Sequence, residues 1–213
     1  TGADAFVRAW ATDADRQYVA GRWPRAQQRS LAARALLRSL LASVTGSRDW
    51  EIAIGPGGKQ FACGRPNAPA ISVSHSDDLV AAAVAPTGSA LGIDIEAHRT
   101  RRFVAIAEAW FGAAEIAAVK EAGAPAFYRI WTAREALAKA RGTGLPGALG
   151  KGDLVGIGVD NGHWSHGGCW FHHWWPLDGY SMSVATGDRS DLFVSEQVHG
   201  VRHVTERPNS VCN

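Results

Sequence analysis

The sequence predicts an α/β protein of the α+β kind, with antiparallel sheets and packed helices in two similar subdomains, and three observations carry that expectation. First, Leu36, Leu37, Leu40, Leu41 and Val44 recur at three- and four-residue intervals, the stripe of an amphipathic helix. Second, short alternating runs separated by turn residues follow between Ile71 and Glu96. Third, the same order of helix and then strands begins again at Phe103. The repetition is one of element order alone, with no residue-level repeat beneath it. A division after His98 gives an N-terminal subdomain of residues 1–98 and a C-terminal subdomain of residues 99–213.

Each element has its own reason. Pro24 suits a first helical turn, the helix runs from Arg25 to Val44, and Gly46 closes it. Trp50 to Ile54 is β-like, Gly55-Pro56-Gly57-Gly58 is a turn, and Lys59-Gln60-Phe61 resumes the chain. Ile71 to His75 alternates, Leu79 to Ala85 is continuously apolar, and Leu91 to Glu96 alternates again. With turns at Ser76-Asp77-Asp78 and Pro86 to Ser89, these three read as one antiparallel sheet. From Phe103 to Arg141 the pattern is helical in two or three pieces, the last starting near Pro125 and stopping at Gly142-Thr143-Gly144. Strand-like runs return at Leu154 to Val159, Cys169 to Trp175, Gly179 to Ala185 and Leu192 to Val198. After Val201 the chain is polar and reads as a frayed end.

Composition narrows the class of function. The chain has 213 residues, 46% apolar and 20% charged, which is globular and enzyme-sized. Its 22 basic residues nearly balance its 20 acidic ones, so bulk charge gives no reason to expect a nucleic acid partner. No apolar run approaches the ~20 residues of a membrane helix. The 3 cysteines, Cys63, Cys169 and Cys212, form no disulfide or zinc-ribbon spacing, which fits a reducing cytoplasm. Thr1 to Arg16 lacks a signal-like apolar core. His163, His166, Cys169, His172 and His173 crowd one segment, but their spacing fits no usual tetrahedral zinc pattern, and His172 and His173 fall on opposite faces of a strand.

Four features carry chemistry. Asp94 and Glu96, one residue apart on a strand, project from one face, and a hard divalent cation would relieve their repulsion. A solvated polar face reads equally well from spacing alone. Glu135 and Lys139 stand one helical turn apart, which an exposed ion pair also explains. His75, between Ser74 and Ser76 at a strand end, suits a phosphate contact or a turn cap. Lys59 follows two glycines but has no Ser or Thr after it, so it does not make a P-loop.

In order, Gly57-Gly58-Lys59, Ile71-Ser-Val-Ser74-His75-Ser76, Gly92-Ile-Asp94-Ile-Glu96 and Trp131-x-x-Arg134-Glu135-Ala-x-x-Lys139 resemble the 4′-phosphopantetheinyl transferases of the long, surfactin-synthetase-activating (Sfp-type) class. The clear likeness runs from Arg29 to Gly144 and continues weakly through Asp178 to Met182. It implies two pseudo-twofold subdomains with coenzyme A in the cleft between them. It also implies transfer of the 4′-phosphopantetheine arm to a serine of an apo acyl or peptidyl carrier protein of polyketide or nonribosomal peptide biosynthesis, releasing adenosine 3′,5′-bisphosphate. Asp94, Glu96 and Glu135 would bind Mg²⁺, or Mn²⁺ in its place. Glu135, Lys139 and His75 would be catalytic, and Arg29, Ser30, Lys59, Ser74, His75 and Lys139 would bind coenzyme A, with Arg16 or Arg22 contributing. Two departures stand out: Arg134 where many relatives have lysine, and Gln60 where they have proline.

One chain carrying both halves implies a monomer, in contrast to the short trimeric class. Carrier docking is expected on Phe103 to Val119, with Phe111 and Ile116 as candidate anchors and Arg101 and Arg102 beside them; these residues read equally as core, and for Phe111 core is the favoured reading. Two other readings stay open: a non-catalytic binder of coenzyme A or carrier protein, and a metal-dependent phosphoesterase using water as nucleophile.

Overall fold

The computed structural model describes residues 2–152, 162–187, 193–198 and 204–206. In chain order it contains α1 (Gly2–Trp10), α2 (Asp13–Val19), α3 (Pro24–Thr45), β1 (Glu51–Ile54), β2 (Gln60–Cys63), β3 (Ala70–Ser76), β4 (Leu79–Ala85) and β5 (Leu91–Ala97). Then follow α4 (Phe103–Trp110), α5 (Ala113–Ala122), α6 (Ala124–Arg141), α7 (Gly144–Ala148), β6 (Gly162–His166), β7 (Cys169–Trp174), β8 (Tyr180–Thr186), β9 (Phe193–Val198) and β10 (Val204–Glu206). The expected strand at Leu154 to Val159 lies outside the described residues. Among the described residues no helix is long and apolar enough to cross a membrane.

The chain forms two compact units, Thr1–Ile54 with Gln60–Ser89 and Ser190–Asn213, and Gly55–Lys59 with Ala90–Arg189. In the first, α3 lies on an antiparallel sheet of order β10-β9-β4-β3, and β1 and β2 form a separate hairpin. Leu36, Leu37, Leu40 and Leu41 are buried against Ile71, Val80, Ala82 and Val84. Burial of each leucine contributes about 1.5–3 kcal/mol. Gly46 ends α3 in the left-handed region, at φ 72°. On the same unit Asp15, fully buried, accepts hydrogen bonds from Arg34 (2.6 Å) and from Arg38. Burial pushes the Asp15 carboxyl up, but bonds from Arg38, the Thr12 backbone and Arg34 outweigh it and lower it to about 2. The two arginines thereby join α3 to α2.

The second unit repeats the plan. Its antiparallel sheet has the order β5-β8-β7-β6, and α6 packs across β5 and β8. Ala133, Ala136, Leu137 and Ala140 meet Cys169, Phe171 and Ala185 of the sheet. The other side of α6 joins α4 and α5 in an aromatic cluster of Phe111, Phe127 and Tyr128.

Two expectations need correction. β5 does not continue the β3–β4 sheet; it pairs with β8, Leu91 opposite Thr186 through Ala97 opposite Tyr180. The two compact units meet in sequence at Ser89/Ala90, with β9 and β10 counted in the first. The polar tail contributes a strand, β10, antiparallel to β9. Alternation identified these strands well, but pairing is a long-range choice that alternation does not encode.

Candidate functional site

Gly92 explains how β5 and α6 come together. It shares a strand face with Asp94 and Glu96, while Leu91, Ile93 and Ile95 point the other way. A Cβ at Gly92 would overlap the Ala136 carbonyl oxygen and stand 2.5 Å from the Ala140 nitrogen. The helix backbone therefore rests on the strand at this point, and the small side chains of Ala136 and Ala140 permit the approach. Because Glu135 and Lys139 flank those alanines, they are carried to the side of the sheet that bears the two acids.

The polar contacts follow from that seating. Lys139 Nζ donates to Asp94 Oδ1 at 2.7 Å and to the Ile93 carbonyl at 3.0 Å. Asp94 is nearly buried, at 5% exposure, and Glu96 is half-buried. Arg101 Nη2 lies 3.9 Å from Glu96 Oε2, a contact exposed enough to be weak. Burial and the Asp94 charge, with a further contribution from Glu96, raise Glu135 to about 7, against the opposing pull of Lys139. Lys59 enters the same unit through its glycine turn and donates from Nζ to the Ala140 carbonyl at 2.7 Å. Burial lowers its pKa. Glycine is required in that turn at Gly57, which has φ 67° and whose added Cβ would stand 3.3 Å from the Gly142 oxygen.

Behind the acids lies a polar row that sequence reasoning missed. Ser183 and Ser181 of β8 are the register partners of Asp94 and Glu96. Ser183 Oγ lies 2.7 Å from Thr132 Oγ1 on α6 and 2.9 Å from His173 Nδ1 on β7. Ser181 Oγ lies 2.8 Å from His98 Nε2. Burial, reinforced by the Arg129 charge, lowers His173 to about 3, and burial also lowers His98. Both rings are neutral near pH 7. The alternation Tyr180-Ser181-Met182-Ser183 signals a strand with a polar face, but nothing in the sequence tells which acids that face meets.

Arg134 also has a defined task. It donates from Nε to Glu115 Oε2 at 3.0 Å and from Nη1 to the carbonyls of Ala148 (3.1 Å) and Gly150 (2.7 Å), while Nη2 reaches Glu115 and Gly152. Glu115 in turn accepts from the Gly112 amide at 3.1 Å. One guanidinium thus ties α6 to α5 and to the segment after α7. A lysine has too few donors in fixed directions to do this.

The predicted residues therefore divide. Asp94, Glu96, Glu135, Lys139 and Lys59 come together in the second unit. Arg29, Ser30, Ser74 and His75 belong to the first. There, Ser30 Oγ accepts from Arg22 Nη1 at 3.1 Å, and Arg8, Arg16 and Arg29 line a cavity of about 250 Å³ with Asp78 and Val80. Ser74 is buried on β3, and His75 is exposed. Phe111, a candidate anchor for which core is the favoured reading, is 1% exposed and stacks on Phe127, so it is core. Ile116 is half-buried, while Val104 and Trp110 are the large exposed apolar side chains of α4.

Among the described residues, no three histidine, cysteine or acidic side chains stand close enough to hold a metal ion. Asp94, Glu96 and Glu135 are thus not a preformed cage; the Lys139 ammonium occupies Asp94 Oδ1. Their chemistry nonetheless fits a hard divalent cation. All three offer oxygen donors, and the Asp94 and Glu96 charges, which together with the larger effect of burial raise Glu135, are ones such a cation offsets.

Compared with models of protein families, residues 90–172 match the ACPS model, described as the 4′-phosphopantetheinyl transferase superfamily. The match spans β5 and α6, and so includes Asp94, Glu96, Glu135 and Lys139. The mixed α/β architecture with antiparallel sheets agrees with that fold. No curated protein matches the chain.

Proposed function

We propose that this protein is a holo-[carrier protein] synthase of the long Sfp-type class. It moves the 4′-phosphopantetheine arm of coenzyme A to a serine of an apo acyl or peptidyl carrier protein. The observation that carries the reading is a carboxyl poised near neutrality, Glu135 at about 7, beside two further carboxylates and a lysine. A general base works best with a pKa near the working pH.

Glu135 takes the proton of the carrier serine as its Oγ attacks the phosphorus bearing the pantetheine arm. The pyrophosphate P–O bond breaks, and adenosine 3′,5′-bisphosphate leaves with the bond's electrons. Lys139, already directed at this cluster, exchanges Asp94 for a phosphate oxygen and offsets charge on the leaving group. Lys59 supplies a second ammonium near the C-terminal end of α6. Asp94, Glu96 and Glu135 are the residues that would hold Mg²⁺, which when bound offsets the charge of the pyrophosphate. Arg29, Ser30, Ser74 and His75 are assigned to the phosphates of coenzyme A. Arg29 and Ser30 are supported by the basic surroundings of Arg16 and Arg22.

Chromatographic detection of adenosine 3′,5′-bisphosphate tests the assignment. Release that needs both an apo carrier protein and coenzyme A supports it. Coenzyme A binding without release points instead to a binding protein, and release without any carrier points to a phosphoesterase.

A further inference from the structure

Four of the five histidines of the second unit fall into two pairs. His98 and His173 are each hydrogen-bonded to a serine of β8 and serve the polar row behind the acids. His163 and His172 are not part of it. They are register partners on β6 and β7, so their side chains leave the same face of the sheet. Their ring centroids are 4.0 Å apart with an interplanar angle of 81°. His163 is exposed and His172 half-buried. His166 and His173 lie on the opposite face, since side chains alternate along both strands.

We propose that His163 and His172 form a two-histidine site for a borderline divalent transition metal ion, Zn²⁺, Ni²⁺ or Cu²⁺. Imidazole nitrogens suit these ions and not Mg²⁺, which the oxygen donors of the acid cluster would take. The geometry needs little change. With metal–nitrogen bonds of about 2.0–2.1 Å, two imidazoles on one ion have centroids about 4.5–5 Å apart. The exposed ring of His163 has the freedom to open by that difference. Pairing on adjacent antiparallel strands fixes the backbone positions from which both rings project, so only ring rotation remains to be ordered on chelation. The remaining coordination positions are left to water or to a donor from outside the chain. The alternation that argued against a tetrahedral zinc site is thus compatible with a two-ligand one, because the second ligand comes from across the strand pair and not from the neighbouring residue. The site is independent of the transfer reaction.

The structure also supplies a reporter. The Trp174 ring is 4.7 Å from that of His172, so a paramagnetic ion held there quenches its fluorescence. The test titrates NiCl₂ into tag-free full-length protein in excess Mg²⁺, read by tryptophan fluorescence and by calorimetry. The wild type binds one high-affinity Ni²⁺ per chain. His163→Ala and His172→Ala each weaken it about 100-fold, the gain expected from linking two donors. His166→Ala, on the opposite face, leaves binding unchanged. His163 is exposed, so its variant keeps the fold and carries the test if His172→Ala does not. Equal Ni²⁺ binding by the wild type and His163→Ala overturns the proposal, as does a wild type that binds no Ni²⁺ below millimolar concentration.

Discussion

Glu135→Gln removes a carboxyl whose ionisation the site opposes, and the effect on folding has a definite sign. Burial, then Asp94, then Glu96 raise Glu135 from 4.5 to about 7 against the pull of Lys139. The folded state therefore holds this proton after the unfolded chain has released it. Its stabilising contribution is complete below pH 4.5 and is lost as the pH rises from 4.5 through about 7. At about 1.36 kcal/mol per pKa unit, the ceiling is about 3 kcal/mol. Partial exposure of the side chain reduces the expected figure to about 1–2 kcal/mol. Glutamine keeps the shape and does not titrate, so the variant should gain that amount relative to wild type between about pH 5 and about pH 8. Urea unfolding of both proteins at the two pH values, in chelator, measures it. Adding Mg²⁺ at the higher pH should shrink the gain, because a cation stabilises the ionised acid. A stability difference identical at both pH values, or one that grows toward acid, refutes the electrostatic picture of the site.

Three further outcomes follow from the geometry. Gly92→Ala forces a methyl group into the α6 backbone, which has no side-chain rotation with which to yield; a loss of about 3 kcal/mol or more is expected, seen as a melting temperature lowered by about 6–12 °C. Lys139→Met strips Asp94 of its ammonium and should cost about 1–3 kcal/mol after allowance for the partial exposure of the lysine. It should also move the pH profile of any transfer activity upward, since Lys139 is the group holding the Glu135 pKa down. Arg134→Lys retains the charge but loses the fork that reaches Glu115 and three carbonyls, so limited proteolysis should accelerate within residues 143–152 while the melting temperature falls by several degrees.

Much of this architecture is legible in the sequence where local signals suffice. The stripe Leu36 to Val44 specified α3, Gly46 specified its end, and the alternation around Asp94 put both acids on one face. Helical spacing likewise joined Glu135 to Lys139. The failures are all long-range. That β5 pairs with β8 and not with β4 is a choice between distant segments that the strand's own alternation does not encode. The Ser183–His173–Thr132 contacts join residues from three elements, and no spacing rule links them.

The central claim is transfer of phosphopantetheine by the cluster around Glu135, and intact-protein mass spectrometry of apo acyl and peptidyl carrier proteins tests it most directly. Incubated with wild-type protein, coenzyme A and Mg²⁺, at least one carrier should gain the mass of a single phosphopantetheine, and the gain should vanish with chelator and with Glu135→Gln. Unmodified carriers throughout, with coenzyme A binding demonstrated in the same samples, would contradict it.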